Sequence, residues 1–448
     1  MNPSFKYSGV HWIGKVPSNW NILALKRYAP YISRGRSPDY TDDKYKGIPI
    51  INQACIYWDG LKLEKVKFQD PSVVTGYRGK LYQGDLLINS TGTGTLGRVG
   101  VFNLDGEYLA DSHVTIIRPA KEIFAKYLYY LLQTDVYQGY IYSVLATGAT
   151  NQIELSREGL SDTPIIVPPI SQQKSIASFL DLKTATIDTL IAKKQRLIQL
   201  LEEKRTALID RAVTKGLNPN APMKESGISW IGEIPQHWKI LKLGIFAEVT
   251  KLTGFEYTNH WVVHPNNEII ALRGFNIKNG KLILNDVEKI SSQLSSKLFR
   301  SKLFSGDIVF PCTGTIGNGA LIEEDNKFHI NQNIAKITTR KNWSIHAKYI
   351  LNQLCSHAMK YQIDRLNSSG IQPVLLIGTI RNLICVLPDI EEQRIVSNYI
   401  DLQNERFDKT SDNLFSQIEK LQEYRRSLIT AAVTGKLDIS EVTSDHAC

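Results

Sequence analysis

The sequence predicts an α+β protein in which a mixed, strand-rich domain followed by one long helix is written twice. Three observations carry this. A tryptophan-bearing segment returns with its spacing intact about 220 residues downstream. Short β-branched runs between Gly and Asp turns occupy most of each copy. Apolar residues step by seven near the end of each copy, as in a coiled-coil seam.

The repeat is the firmest of the three. Ser8–Trp20 returns as Ser226–Trp238, with Trp12, Gly14, Pro17 and Trp20 matched by Trp230, Gly232, Pro235 and Trp238. Only seven tryptophans occur in 448 residues, so chance is a poor explanation. Further matches follow in the same order: Gln83–Ile88 with Ser305–Phe310, Thr93–Gly97 with Thr313–Gly317, Val167–Lys174 with Leu387–Arg394, and Leu208–Leu217 with Leu428–Leu437. Preserved order means that one long unit is duplicated whole.

The elements follow in turn. Residues 1–170 form a first domain, with strands at Ile48–Ile51 and Val114–Ile117 and a helix near Phe124–Leu132. Residues 171–217 form the first long helix, with Ser171 as its N-cap. Residues 218–229 are a linker, because Asn218-Pro219-Asn220-Ala221-Pro222 cannot continue a helix. Residues 230–387 repeat the domain, with a strand at Ala335–Thr338 and a helix over Ala347–Met359. Residues 388–437 form the second long helix, which opens on Asp389 and Glu392 in capping-box spacing. Residues 438–448 are a frayed tail.

The seam of the first helix is Leu180, Ile187, Leu201 and Leu208, flanked by Ile191, Ile198 and Ala212. The second gives Ile400, Phe407, Leu414, Leu421 and Leu428, flanked by Ser411, Ile418 and Ala432. At ~1.5 Å per residue, each helix makes a rod of about 60 Å. Lys194 stands where the second copy has Leu414. A charged seam residue fixes register and partner; alternatively Lys194 snorkels at the helix edge.

Composition narrows the function. Hydrophobic residues make up 42% and charged residues 22%, ordinary globular usage that argues against wholesale disorder. No run approaches the ~18 apolar residues of a membrane helix, and the N-terminus has no apolar signal core. The five cysteines never form C-x-x-C, which fits a reducing cytoplasm better than a disulfide or zinc framework. With 53 Lys and Arg against 44 Asp and Glu, the net charge of +9 favours a polyanionic partner. Ser171–Gly216 holds nine basic and five acidic residues and Asp389–Leu437 seven and nine, so most of that surplus falls outside the helices.

Catalytic motifs are missing. Gly92-Thr93-Gly94-Thr95-Leu96-Gly97 fits G-x-G-x-x-G, but a strand, Arg98–Phe102, follows where a dinucleotide site needs a helix. The expected element is a tight small-residue loop. No phosphate-binding loop, H-E-x-x-H, G-x-S-x-G or Asn/Asp-Pro-Pro-Tyr/Phe tetrapeptide occurs, and no histidine pairs at metal-ligand spacing. Asp42-Asp43-Lys44 has no counterpart in the second copy and reads as a solvated loop.

Nucleic-acid-like surface accumulates instead. Lys26, Arg27, Arg34, Arg36, Lys44 and Lys46 alternate with Tyr28, Tyr31, Tyr40 and Tyr45. Gln53, Tyr57, Trp58 and Lys62 form a second group, aligned with Arg273, Ile277, Lys278 and Leu282. Basic groups neutralise phosphate while amides and tyrosines reach base edges. The frame repeats while these loops differ, as two readers of two sequences on one scaffold require; drift in unconstrained loops is the other explanation.

Taken together, the paired W-I-G-x-[VI]-P-x-x-W openings, G-D…T-G-T-x-G loops, P-x-x-x-Q helix starts and A-V-T-x-x-L helix ends resemble the specificity subunit of type I restriction-modification systems. The resemblance spans nearly the whole chain. It implies two target-recognition domains, Trp12–Leu160 and Trp230–Arg381, joined by two antiparallel helices with pseudo-two-fold symmetry. It further implies no catalysis and no cofactor in this chain. The partners implied are double-stranded DNA, two modification subunits that methylate adenine at N6, and restriction or translocase subunits; S-adenosylmethionine, ATP and Mg belong to those subunits. The DNA site is then bipartite.

Base contacts in such a family do not transfer by motif. By residue type and loop placement, the DNA-binding candidates are Arg34, Arg36, Lys46, Gln53, Tyr57, Lys62 and Arg98 in the first domain, and Lys251, Arg273, Asn276, Lys278, Asn318 and Gln332 in the second. Gln173 and Gln393, just inside the helix starts, are candidates for contact with partner subunits or for orienting the junction. The competing readings are a self-sufficient DNA-modifying enzyme with an unrecognised site and a helical adaptor that binds only proteins.

Overall fold

The computed structural model describes residues 4–37, 39–73, 76, 78–148, 153–278, 280–366 and 374–439. It divides into two compact units, Met1–Lys194 with Ser416–Cys448, and Gln195–Phe415. Each unit therefore holds one strand-rich domain and one half of each long helix.

In the first unit, Leu86–Asn89 and Val114–Arg118 pair antiparallel at the centre of a four-stranded sheet, edged by Val99–Val101 and Tyr31–Arg34. Leu86, Ile88, Val99 and Ile117 are buried against the helix Ala125–Gln133, whose face Tyr127, Leu128 and Leu131 completes the core. A second small sheet runs Leu109–Ala110, Ile48–Ile51, Lys67–Gln69, Tyr40–Thr41. In the second unit the sheet Ala247–Lys251, Ile334–Thr339, Ile308–Pro311, Ala320–Leu321 repeats the first, and Glu288–Ile290, Ile269–Leu272, Phe328–Ile330 repeats part of the second. The equivalent of Ala125–Gln133 stops at Leu354 and a new helix, His357–Leu366, starts after it. The sequence expectation of one helix over Ala347–Met359 is thus corrected. Buried Ser356 breaks the run, its hydroxyl bonding Gln353 O (2.6 Å) and accepting from Met359 N (3.2 Å).

The long helices are Ile170–Lys215 and Ile390–Val433. They run antiparallel: Asp188 meets Arg425 and Lys194 meets Gln417 in the first unit, while Arg205 meets Asn404 and Asp408 in the second. Leu180, Ile187, Ile418 and Leu428 are buried in the first unit; Ala212, Ile400, Phe407 and Ser411 in the second. The seven-residue step therefore marks the seam. Lys194 donates to Gln417 Oε1 across it, so the lysine is a seam residue and not an edge one.

Two cap expectations change. Ser171 lies inside its helix, which starts at Ile170, with Gln173 N bonding Pro169 O. Asp389 does cap, through Glu392 N to Oδ1 at 2.9 Å, but Glu392 does not close the box. Its carboxylate instead accepts from Trp238 Nε1 (3.1 Å) and His237 Nε2 (2.7 Å). At the matching place in the first unit, Trp20 Nε1 donates to Gln172 Oε1 (2.9 Å). The duplicated tryptophan motif thus seats each domain on the start of its own long helix.

Gln173 and Gln393 finish that seat. Gln173 is fully buried, its Oε1 accepting from Phe124 N (2.7 Å) and its Nε2 donating to Glu122 O (3.0 Å) and Pro168 O (2.8 Å). Gln393 does the same with His346 N, Ser344 O and Pro388 O. Both amides are spent inside the fold. They orient the junction and offer no surface to a partner subunit, which corrects the partner-contact reading.

Candidate nucleic-acid interface

In the first unit the loops at one end of the four-stranded sheet converge on the Thr91–Gly97 turn. Arg34 ends its strand there, opposite Thr115, and pairs with Glu154 at 3.1 Å. Glu154 bridges Thr91 through the backbone. Thr91 Oγ1 lies 3.2 Å from Gln53 Oε1 and 2.9 Å from His113 Nδ1. On the other side of the turn, Arg98 donates to Gly94 O (2.9 Å) and lies over the Tyr57 ring, 5.4 Å from its centroid, with Lys62 at 5.7 Å. Lys62 is also paired with Asp59 at 2.9 Å. Arg34, Arg36, Ser37, Arg78 and Ser112 line an adjoining cleft of about 490 Å³. Gly35 is obligatory here, since a Cβ would lie 2.1 Å from Ala110 O.

Six of the seven first-domain candidates therefore share one rim. Lys46 sits apart, in the exposed turn capped by Asp43 Oδ1. Of the wider basic stretch, Lys26 is drawn to Asp162. The sequence did not single out Thr91, His113, Arg78, Ser112 or Glu154. They come from separate loops, and only the sheet register collects them.

The second unit places different chemistry on the same frame. Lys251 pairs opposite Ala335 as Arg34 does opposite Thr115. Lys278 is exposed and pairs opposite Lys281 as Tyr57 does opposite Gly60, so Tyr57 corresponds to Lys278. The sequence match of Tyr57 with Ile277 is off by one residue; Ile277 is buried like Ile56. The turn needs a second correction. Strand pairing equates Leu86 with Ile308 before it and Val101 with Leu321 after it, so the first unit's turn is two residues longer. Thr91-Gly92 then corresponds to Thr313-Gly314, and Thr93-Gly94 is the insertion. Asn318 follows that turn as Arg98 does, bonding Thr315 O at 3.3 Å. Gln332 holds the place of Ser112, because Asn333 N and His113 N bond Asn331 and Asp111 carboxamide or carboxylate oxygens alike, each at 2.9 Å.

Two second-domain candidates are committed within the fold. Asn276 is 1% exposed, its Oδ1 accepting from Arg273 N and its Nδ2 donating to Ile283 O and Asp286 O, so it cannot read DNA from the surface. Arg273 is paired with Glu288 (3.0 Å) and Asp286 (3.3 Å) and stacked on Phe275.

No cluster of three or more His, Cys, Asp or Glu suited to a metal occurs among the described residues. Burial raises the Cys55 thiol to about 11 and Cys355 and Cys385 to about 12, so none is a thiolate at neutral pH. No described helix is long and apolar enough to cross a membrane. What both units present is a rim of hydrogen-bonding and basic side chains over a rigid sheet end.

The family described as the type I restriction modification DNA specificity domain matches residues 17–200. The MjaVIII specificity subunit of Methanocaldococcus jannaschii is 22% identical over 96% of this chain and 95% of its own length. The EcoKI specificity subunit of Escherichia coli K12 is 22% identical over 95% and 90%. By these matches the chain is similar to type I specificity subunits. Among solved structures, one from a study of type I R-M assembly and conformational transition shares the fold with a TM-score of 0.71, at 14% identity, over 94% of this chain and 99% of that one. The HsdS subunit of Thermoanaerobacter tengcongensis matches with a TM-score of 0.55 at 15% identity, over 94% and 98%. The specificity-subunit match ends inside the first long helix, and the internal duplication carries the same plan through the second copy.

Proposed function

We propose that this chain is the DNA-reading, non-catalytic subunit of a type I restriction-modification complex, each domain reading one half of a bipartite site. The observation that supports it most is the contrast between a repeated frame and an unrepeated rim. Trp20 and Trp238, Gln173 and Gln393, and the two central sheets are laid out alike. Arg34, Arg36, Gln53, Tyr57 and Arg98 are replaced at the rim by Lys251, Thr253, Gly274, Lys278 and Asn318. Two different rims on one frame suit two unequal half-sites.

In this reading Arg34, Arg36, Lys46, Gln53, Tyr57, Lys62 and Arg98 contact the first half-site, and Lys251, Lys278, Asn318 and Gln332 the second. The long helices carry two modification subunits, and restriction subunits join the complex. S-adenosylmethionine, ATP and Mg act in those partners.

The test is an exchange. Replacing Trp230–Arg381 by the corresponding segment of a relative changes one half of the methylated sequence and leaves the other intact. A change in both halves, or methylation or cleavage by the purified chain alone, refutes the proposal.

A further inference from the structure

Thr91, His113 and Gln53 come from three separate loops of the first unit and form one hydrogen-bonded line. Its polarity follows from counting protons. The Thr91 hydroxyl has a single proton, which it gives to Gln53 Oε1 at 3.2 Å. The 2.9 Å contact between His113 Nδ1 and Thr91 Oγ1 must then be donated by the imidazole. A neutral imidazole protonated at Nδ1 is an acceptor at Nε2. At the other end, Gln53 has its oxygen engaged and its NH2 directed away from Thr91. The backbone fixes all three: Gln53 O accepts from Asn89 Nδ2 (3.0 Å), His113 N donates to buried Asp111 (2.9 Å), and Thr91 bridges Glu154.

We infer that this line is a base-reading comb with an acceptor, His113 Nε2, at one end and a donor, Gln53 Nε2, at the other, and that it selects a base carrying an exocyclic amine. His113 is exposed and stands on the rim beside Ser112 and the arginine cleft. In the major groove only adenine and cytosine present such an amine, and the neighbouring acceptors N7, O6 or O4 suit the Gln53 donor. Thr91 is a positioning residue: it touches no base and sets which imidazole nitrogen is free. The second unit lacks the line, since Gly274 and Asn333 stand in place of Gln53 and His113. The comb therefore governs one half-site only.

This inference rests on the DNA-reading proposal, and one selection separates the two. The protein, purified from its host with the subunits that accompany it, is incubated with a random duplex pool and the retained DNA is sequenced. Wild type is expected to enrich a bipartite motif. H113A and T91V should each relax preference at the same adenine or cytosine roughly ten-fold, Q53A at that base pair or its neighbour, and all three should leave the second half-site unchanged. Refilling the enriched site with a purine that lacks the exocyclic amine should reproduce the H113A loss if the base is adenine, and leave it unreproduced if it is cytosine. No enrichment by wild type overturns the DNA-reading proposal itself. Enrichment by wild type with an unaltered first half-site in folded H113A and T91V overturns the comb alone.

Discussion

Asp188 and Arg425 pair between the two long helices at 3.0 Å, and Asp408 and Arg205 repeat that pair at 2.8 Å. The acids are 220 residues apart, and so are the bases. Each helix therefore carries its acid early and its arginine late, and antiparallel packing sets every acid against an arginine. A parallel pairing would bring acid to acid and arginine to arginine. One charged pair, written twice, thus selects both direction and register, which an apolar seam alone leaves underdetermined.

Reversing one partner should expose that selection. R205D places two carboxylates together and lowers the thermal midpoint, and adding D408R restores it. Asp408 is about a third exposed, so the pair contributes roughly 1 kcal/mol or less. Partial burial pushes the Asp408 carboxyl up, but the Lys281 hydrogen bond and the Arg205 charge outweigh it and hold the group below its ordinary value. A carboxyl so lowered stabilises the fold above the unfolded value of about 3.9 and loses that contribution as pH falls through the folded one. The gap between wild type and D408N, followed by circular dichroism, should therefore close in acid.

Gly435 should tolerate no side chain. Its φ is +72°, and an added Cβ would lie 2.3 Å from Pro17 Cγ and 3.1 Å from the Trp20 ring. Gly84 also has a positive φ, +86°, yet nothing lies within 4 Å of its added Cβ. G84A should cost about 1 kcal/mol, the backbone term alone. G435A should cost more, at least 2 kcal/mol, because Pro17 and Trp20 must also shift. Urea midpoints of the two variants check the order.

The duplication, the helix seam and the core strands were legible because each leaves a period or a repeat in the sequence. Trp20 and Trp238 even announced the junction, although their partners Gln172 and Glu392 did not. Asn276 misled because an amide reads the same whether it faces DNA or satisfies buried backbone, and only burial decides; the same ambiguity left Gln173 between a partner contact and the junction that it orients. The Thr91–Gly97 turn misled because a two-residue insertion next to repeated Thr-Gly pairs leaves the sequence alignment degenerate, whereas strand register does not. Thr91 and His113 were illegible, since 22 residues and an unrelated turn separate them in the chain.

His329 should make the second unit acid-sensitive. Burial lowers its imidazole below the ordinary value, opposed by the Ile330 and Leu298 carbonyls and assisted by the charges of Lys336 and Lys302. The unfolded chain then binds the proton more readily than the fold does. Stability is full above about pH 6.5 and falls as pH drops toward the folded value. H329Q keeps a hydrogen-bonding side chain without the titration. Thermal midpoints between pH 7 and 5 should fall less steeply for H329Q than for wild type; equal slopes would assign the acid sensitivity elsewhere.

Glu154 restrains the first rim. It is the partner of Arg34, whose Nη2 also reaches Leu155 O at 3.3 Å, so the guanidinium is held against the protein. E154A frees that charge for phosphate. Non-specific duplex binding should then tighten a few-fold, and the slope of log K against log salt should steepen by up to about 1. Arg34→Ala should do the reverse, and the double variant should match Arg34→Ala, since without Arg34 the carboxylate has nothing to restrain. Fluorescence anisotropy across a salt series measures all three. Tighter binding by the double variant than by Arg34→Ala would show that Glu154 acts by direct repulsion of DNA and not through Arg34.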